Sequence, residues 1–403
     1  GNESQMDQIA LQSAMNKMQN TSQLLSTVIK KFDDLKAIVA NLNTDVSTSD
    51  YLVSVTNSLV NGSAANAAWT GGKSRSVALG NMHAGTTALQ MSELVGKWFL
   101  GTDLPSSSVN MDGIRFGVSY STVNKPLFAA GGPSMADINQ GYLGDCYFLA
   151  SLAELAWQTP SFIQSMFVDN GNGTYGVRFF SNGNATYVTV NSQLANGGAI
   201  FDTSSSTMWS SLAEKAFAQV QAVDLTTGNY VNAGNSWTTI GNGGWPLDAL
   251  AAITGTSSLI DYLSYPDGWH DYSFDGSGNY LGSNGVQDTD ALQSTLIWDL
   301  AHGYEVVLCS WTNAYDDSGL RTLIASHAMS IYGFDSATGE FQIRNPWGYY
   351  SPGQSWATTF EVSLDTLFAY ADDITVAAPP AGPATPTAPA VLAIGISSPN
   401  QFD

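Results

Sequence analysis

The stretch "GYLGDCYFLASLAELA" occupies residues 141–156. It carries Cys146, one of only two cysteines in the chain, after a glycine and between an Asp and a Tyr, at the head of an apolar run. The pattern reads as a turn that becomes a helix. A thiol on the first turn of a helix lies where backbone N–H groups lack partners and where the macrodipole is positive. That position predicts a lowered thiol pKa and a larger thiolate fraction, the form that acts as a nucleophile. The other cysteine, Cys309, sits inside "YEVVLCSW" (304–311), an expected core strand, and reads as a small buried hydrophobe.

A catalytic thiol needs a histidine to take and return its proton, a group to orient that histidine, and donors for the oxyanion. The chain has four histidines. His83 and His302 lie on or near helical stretches, and His270 falls in "PDGWHDYS", read as a loop. His327 heads the apolar strand "SHAMSIYGF" (326–334), where it would face a cleft. Asn345, in "RNPWG" (344–348), ends the next strand. Two adjacent antiparallel strands would bring Asn345 beside His327, with its oxygen accepting the Nδ1–H and Trp347 shielding the bond. Gln140 precedes Cys146 by six residues, and its amide would join the Cys146 N–H in an oxyanion hole.

Bulk properties narrow the alternatives. The 403 residues leave room for about two or three domains. Apolar residues make up 44% of the chain, which reads as globular. There are 34 acidic and 13 basic residues, a formal charge of −21, so nucleic acid and anionic membranes are disfavoured as partners. No apolar run is long enough to span a membrane. No signal peptide is visible, and a first residue of Gly1 reads as a processed form. Two cysteines exclude a disulfide framework. Abundant Gly, Asn, Ser and Thr with little Lys suggest a secreted or cell-surface bacterial protein. No G-x-S-x-G and no H-E-x-x-H occurs, which argues against serine and zinc hydrolysis. The G-x-G-x-x-G at Gly171, Gly173 and Gly176 leads into a β-run rather than a helix, so it is not a dinucleotide loop.

Along the chain, residues 5–43 read as one amphipathic helix. Leu11, Met15, Met18, Leu25, Ile29, Phe32 and Val39 approximate a heptad seam, interrupted at Ser22 and Lys36. It would pack on its own chain or bind a helical partner. A further helix is expected over 86–100, and a Gly/Ser-rich tether near 101–110. "DNGNGTYGVRFFSNGNATYVTVNSQL" (169–194) alternates around Asn-Gly pairs, a hairpin signal. Helices are expected at 210–220, 245–255 and 289–303, then strands at 304–311, 326–335, 340–348 and 372–377. "APPAGPATPTAPA" (378–390) is an extended Pro/Ala linker.

"QGYLGDCYFLASLAEL", "SHAMSIYGF" and "QIRNPWG" together resemble the nucleophile, histidine and asparagine motifs of the calpain family of papain-like cysteine proteases. "KPLF", "YVTVNSQL", "MWSSLAEKAFAQV" and "YVNAGNSWTTIGNGGWPLDALAAITG" extend the likeness over about 111–376. Tyr147 stands where calpains usually have Trp. The resemblance implies an α+β fold: a papain-like, two-subdomain core (111–245 with Cys146; 246–376 with His327 and Asn345). An N-terminal helical region (1–110, a propeptide or interaction element) would precede it and a linker and tail (377–403) would follow. It implies an endopeptidase acting on proteins or peptides, with Cys146, His327, Asn345 and Gln140 as its catalytic set. The alternative is a catalytically silent binding or surface module. No cofactor is required. Calpain cores bind calcium at two sites, and one set is partly matched by Asp137, Glu214 and the Gly132 carbonyl. The second is poorer, because Tyr349, Tyr350 and Ser351 replace its acidic residues. "DGSGN" (275–279) lacks the glycine and glutamate of an EF-type loop.

Overall fold

The computed structural model describes residues 25–380 except 46–47, 112, 197–199, 205, 221–222, 225–228, 231–234 and 350–351. Helices α1 (Leu25–Thr44) and α2 (Asp50–Val60) open the described chain. Phe32, Leu35, Val39 and Leu42 are buried on α1, spaced three, four and three, which is one helical stripe. They pack against Tyr51, Val55 and Leu59 of α2, against Met91 and Leu94 of α3 (Ala88–Val95), and against Trp98 and Phe99. This part of the expected long helix therefore buries its seam on its own chain. Its register runs through Leu35 and Leu42, so exposed Lys36 is no interruption. Seam positions Leu11, Met15 and Met18 lie outside the described residues.

The expected tether is not loose. Asp103 is buried, receives the Thr70 and Gly71 amides at 2.8 Å and pairs with Lys97. A boundary at 110/111 also falls within a strand, Ser108–Met111, which pairs with Ile114–Gly117.

The quoted stretch forms α4 (Cys146–Gln158). Every residue from Tyr147 to Ala156 is buried, so the helix is covered on all sides and runs through the core. Phe148 stacks on Phe217 of α5 (Trp209–Phe217) at 4.0 Å, and α6 (Pro246–Thr254) packs alongside. Strands β1 (Phe167–Asp169), β2 (Thr174–Ser181) and β3 (Asn184–Asn191) form an antiparallel sheet. Asn182 and Gly183 link β2 to β3 with φ of 50° and 71°, the positive pair a tight hairpin turn requires.

The C-terminal half is strand-rich. It comprises β4 (Leu259–Tyr265), β5 (Gly268–Phe274), β6 (Tyr280–Gly282), β7 (Val286–Gln287), α7 (Thr289–Ala301), β8 (Glu305–Ser310), β9 (His327–Asp335), β10 (Glu340–Arg344), β11 (Thr359–Val362), α8 (Leu364–Tyr370) and β12 (Ala371–Ala377). The strands build one nine-stranded sheet in the order β6-β5-β4-β12-β8-β9-β10-β11, with β7 on β5 and all pairings antiparallel. His270 thus lies on a strand, not in a loop: "GWHDYSF" pairs along its whole length with "LIDYLSY". Val307, Ala328 and Ala377 join the core around α4 and α6, while Val306, Leu308, Met329 and Ile331 face a second core with Leu292 and Leu296 of α7 and Leu367 of α8. Helices dominate around α4 and antiparallel sheet dominates the C-terminal half, which is an α+β arrangement.

Candidate active site

Cys146 is the first residue of α4. The Ala328, Tyr147 and Cys146 amides are directed toward its thiol. These favour the thiolate, but the surrounding protein and neighbouring Asp145 oppose it, and burial prevails: the thiol is pushed up to about 11. The lowered value expected from a helix N-terminus is not found in this state. Desolvation of a charged sulfur outweighs a field that acts only over the first turn. Cys309 is likewise held well above its ordinary value by burial and by Asp373.

His327 begins β9, where Ala328 pairs with Cys309 of β8. This register sets the imidazole beside the residue whose amide reaches the Cys146 sulfur. His327 is buried and its Nε2 lies 2.9 Å from Asn345 Oδ1. The sequence reading assigned this bond to Nδ1. The asparagine instead lies beyond the far edge of the ring. Its Oδ1 also accepts the Trp347 amide at 3.0 Å, which identifies it as the amide oxygen. An oxygen facing Nε2 selects the tautomer with the proton there and leaves Nδ1 as a free base. Trp347 covers the ring at 4.7 Å between centroids, and Trp356 packs edge-on against Trp347. Burial pulls the imidazole down to about 4. Burial thus works against charge on both the thiol and the imidazole.

Gln140 is buried, and its N–H donates to the Pro346 carbonyl at 2.8 Å. Its Nε2 donates to the Leu143 carbonyl at 2.7 Å and makes a longer 3.3 Å contact with Asp145 Oδ1. One amide proton is thus committed and the second is weakly held. Asp145 is fully buried and caps α4 without a side-chain bond to it; burial pushes its carboxyl up to about 8.

Of the residues suggested for calcium, Asp137 and Glu214 each accept protein hydrogen bonds. Asp137 Oδ2 accepts the Trp209 indole N–H at 2.8 Å and the Ser134 amide at 3.0 Å. Glu214 is buried, with Oε1 taken by the Asp202 amide at 3.0 Å, and Asp145 and Asp202 beside it favour its protonated form. Gly132 backs onto the Gln164 amide. Among the described residues, no group of three or more His, Cys, Asp or Glu side chains could hold a metal ion. The other histidines serve locally. His83 Nδ1 accepts the Gly85 amide, His270 bonds Asp267, and His302 caps α7 through Trp298.

Two buried groups near Gln140 and Asn345 had no role in the sequence reading. Asp145 touches Gln140, and Arg344 reaches the Ile138 carbonyl at 3.0 Å. The available signal was a charged residue at each end of an apolar run.

The family model described as calpain family cysteine protease matches residues 105–362, a span that includes Gln140, Cys146, His327 and Asn345. The calpain-2 catalytic subunit of Gallus gallus is 34% identical over 242 residues, covering 55% of this chain and 29% of that protein. Calpain clp-4 of Caenorhabditis elegans is 27% identical over 240 residues, 56% of this chain and 29% of its own. Calpain-8 of Mus musculus is 24% identical over 273 residues, 63% of this chain and 34% of its own. The chain thus spans about a third or less of the length of these relatives. With this match over most of its length, the chain belongs to the calpain family of cysteine proteases.

Proposed function

We propose that the chain is a cysteine endopeptidase that hydrolyses peptide bonds through an acyl-enzyme on Cys146. The carrying observation is the double acceptance by Asn345 Oδ1, from His327 Nε2–H and the Trp347 amide, which leaves Nδ1 unprotonated. In the first step the Cys146 thiol proton passes to Nδ1 as sulfur attacks the substrate carbonyl carbon. The oxyanion is met by the Cys146 N–H and the second Gln140 Nε2 proton. The imidazolium then protonates the leaving amine, the C–N bond breaks, and a thioester remains. A water, deprotonated by Nδ1, attacks the thioester, and the returning proton restores the thiol. The substrate is an extended segment of protein or peptide, lying between a Cys146 subdomain (111–245) and a His327/Asn345 subdomain (246–376). No cofactor takes part in these steps.

The test pairs casein cleavage with a fluorescent electrophile that labels active thiols. Wild type should cleave and label, and Cys146→Ala should do neither while melting normally. Undiminished cleavage by Cys146→Ala would remove the sulfur from the reaction. A second reading, a silent binding module, is favoured by the raised thiol and lowered imidazole. It predicts neither cleavage nor labelling in wild type.

A further inference from the structure

We propose that Arg344 is a positioning residue that straps the Gln140 segment to the strand carrying Asn345; the inference rests on the peptidase reading above. Arg344 is the last residue of β10 and pairs with Ser330 of β9, whose Oγ donates to the Ala150 carbonyl of α4. The guanidinium is buried, and its Nη2 donates to the Ile138 carbonyl at 3.0 Å.

Three consecutive residues thereby join separate parts of the site. Arg344 holds Ile138, Asn345 holds His327, and the Pro346 carbonyl holds the Gln140 amide. Gly348 continues the joint. Its φ is +63°, and a Cβ there would lie 2.1 Å from Asn139 Oδ1. Residues 138–140 thus lie directly against the RNPWG turn. On its other side the segment is tied by the Asn139 amide to Asp202 Oδ1 at 2.9 Å and by the Asn139 carbonyl to the Thr203 amide at 3.1 Å.

The chemistry suits a guanidinium. Burial lowers its pKa, but a guanidinium still keeps its charge, which Tyr332, Asp137 and Asp202 favour. Lys215 is also buried, but its Nζ is directed to Asn191 and Gln193. A lysine at 344 would lack the resistance to losing its proton. Displacement of an oxyanion donor by about 1 Å can lower a rate about 10²-fold, so the strap acts on turnover through Gln140.

The variants are Arg344→Lys and Arg344→Gln, the second retained in case the first does not fold. With casein-derived peptides, kcat should fall about 10–100-fold while KM stays within about twofold. In a Gln140→Ala background the same substitution should cost less than about threefold, because the donor it positions is gone. Hydrogen exchange of residues 138–143 should accelerate at least about tenfold, with α1–α3 unchanged. Additive losses in the double variant, or unchanged exchange at 138–143, would overturn the strap. If wild type itself neither cleaves nor labels, the peptidase reading fails, and the exchange measurement still decides whether Arg344 holds the segment.

Discussion

Replacing Glu305 with Gln should stabilise the protein increasingly as pH rises. Glu154 on α4 and Glu305 at the start of β8 are both fully buried. Gln158 donates to Glu154 Oε1 at 3.3 Å, and Thr159 Oγ1 donates to Glu305 Oε1 at 3.0 Å. The Oε2 atom of each lacks a partner. Burial pushes Glu305 from 4.5 up to about 8. Burial and the nearby Glu305 carboxylate push Glu154 well above its ordinary range. A carboxyl raised in the folded state contributes stability that is complete below the unfolded value and lost as pH climbs through the folded one. For Glu305 that window runs from 4.5 to about 8 and spans about 5 kcal/mol, at about 1.4 kcal/mol per pH unit. Glu305→Gln keeps the shape and the acceptor for Thr159 but cannot ionise. Relative to wild type it should gain within about 1 kcal/mol at pH 5, about 3 at pH 7 and about 5 at pH 9. Urea unfolding followed by tryptophan fluorescence at these three pH values measures the difference from midpoint and slope. An offset that is the same at all three would refute the reasoning, because it would mean that Glu305 ionises as freely in the fold as outside it.

His327→Ala should abolish casein cleavage, and Asn345→Ala should lower it by roughly 10²-fold or more, since the asparagine orients rather than reacts. Wild-type activity in Asn345→Ala would exclude it from the site. Gln140→Ala should lower kcat about 10²-fold with little change in KM, read from initial rates on a peptide substrate. Gly348→Ala should be destabilised by about 1–3 kcal/mol, since it strains a left-handed residue and displaces Asn139; a thermal melt measures it, and an unchanged Tm would count against the packing described. Activity should persist in excess chelator, because Asp137 and Glu214 are already bonded to protein donors. Loss restored by micromolar calcium in wild type but not in Asp137→Ala would show that these residues rearrange to take the ion.

Much of the architecture was legible because local rules suffice for it. The helix headed by Cys146, the Asn182–Gly183 hairpin and the strands beginning at His327 and Glu340 follow from periodicity and turn residues a few positions apart. His270 was misread because Pro266, Asp267 and Gly268 punctuate the segment. The two-residue turn they mark joins strands rather than extending into a loop. The N-terminal seam was displaced by one position at Lys36 because many registers share some apolar residues, and only a packing partner selects among them.

The residue types of the site and their order were set by the sequence, as were a thiol at a helix start, a histidine at a strand start and an asparagine closing the next strand. Which imidazole nitrogen meets Asn345, and the direction in which burial shifts the Cys146 thiol, were decided only by the tertiary structure. Both depend on burial and on contacts between residues far apart in the chain. The helix field at Cys146 is a local property and was foreseeable. The desolvation that overrides it comes from β9 and the surrounding core, brought to the sulfur only by folding. Arg344, Ile138, Glu154 and Glu305 belong to the same class. Nothing local marks a charged residue as buried, and their partners lie 206 positions away for Arg344 and 146 for Glu305.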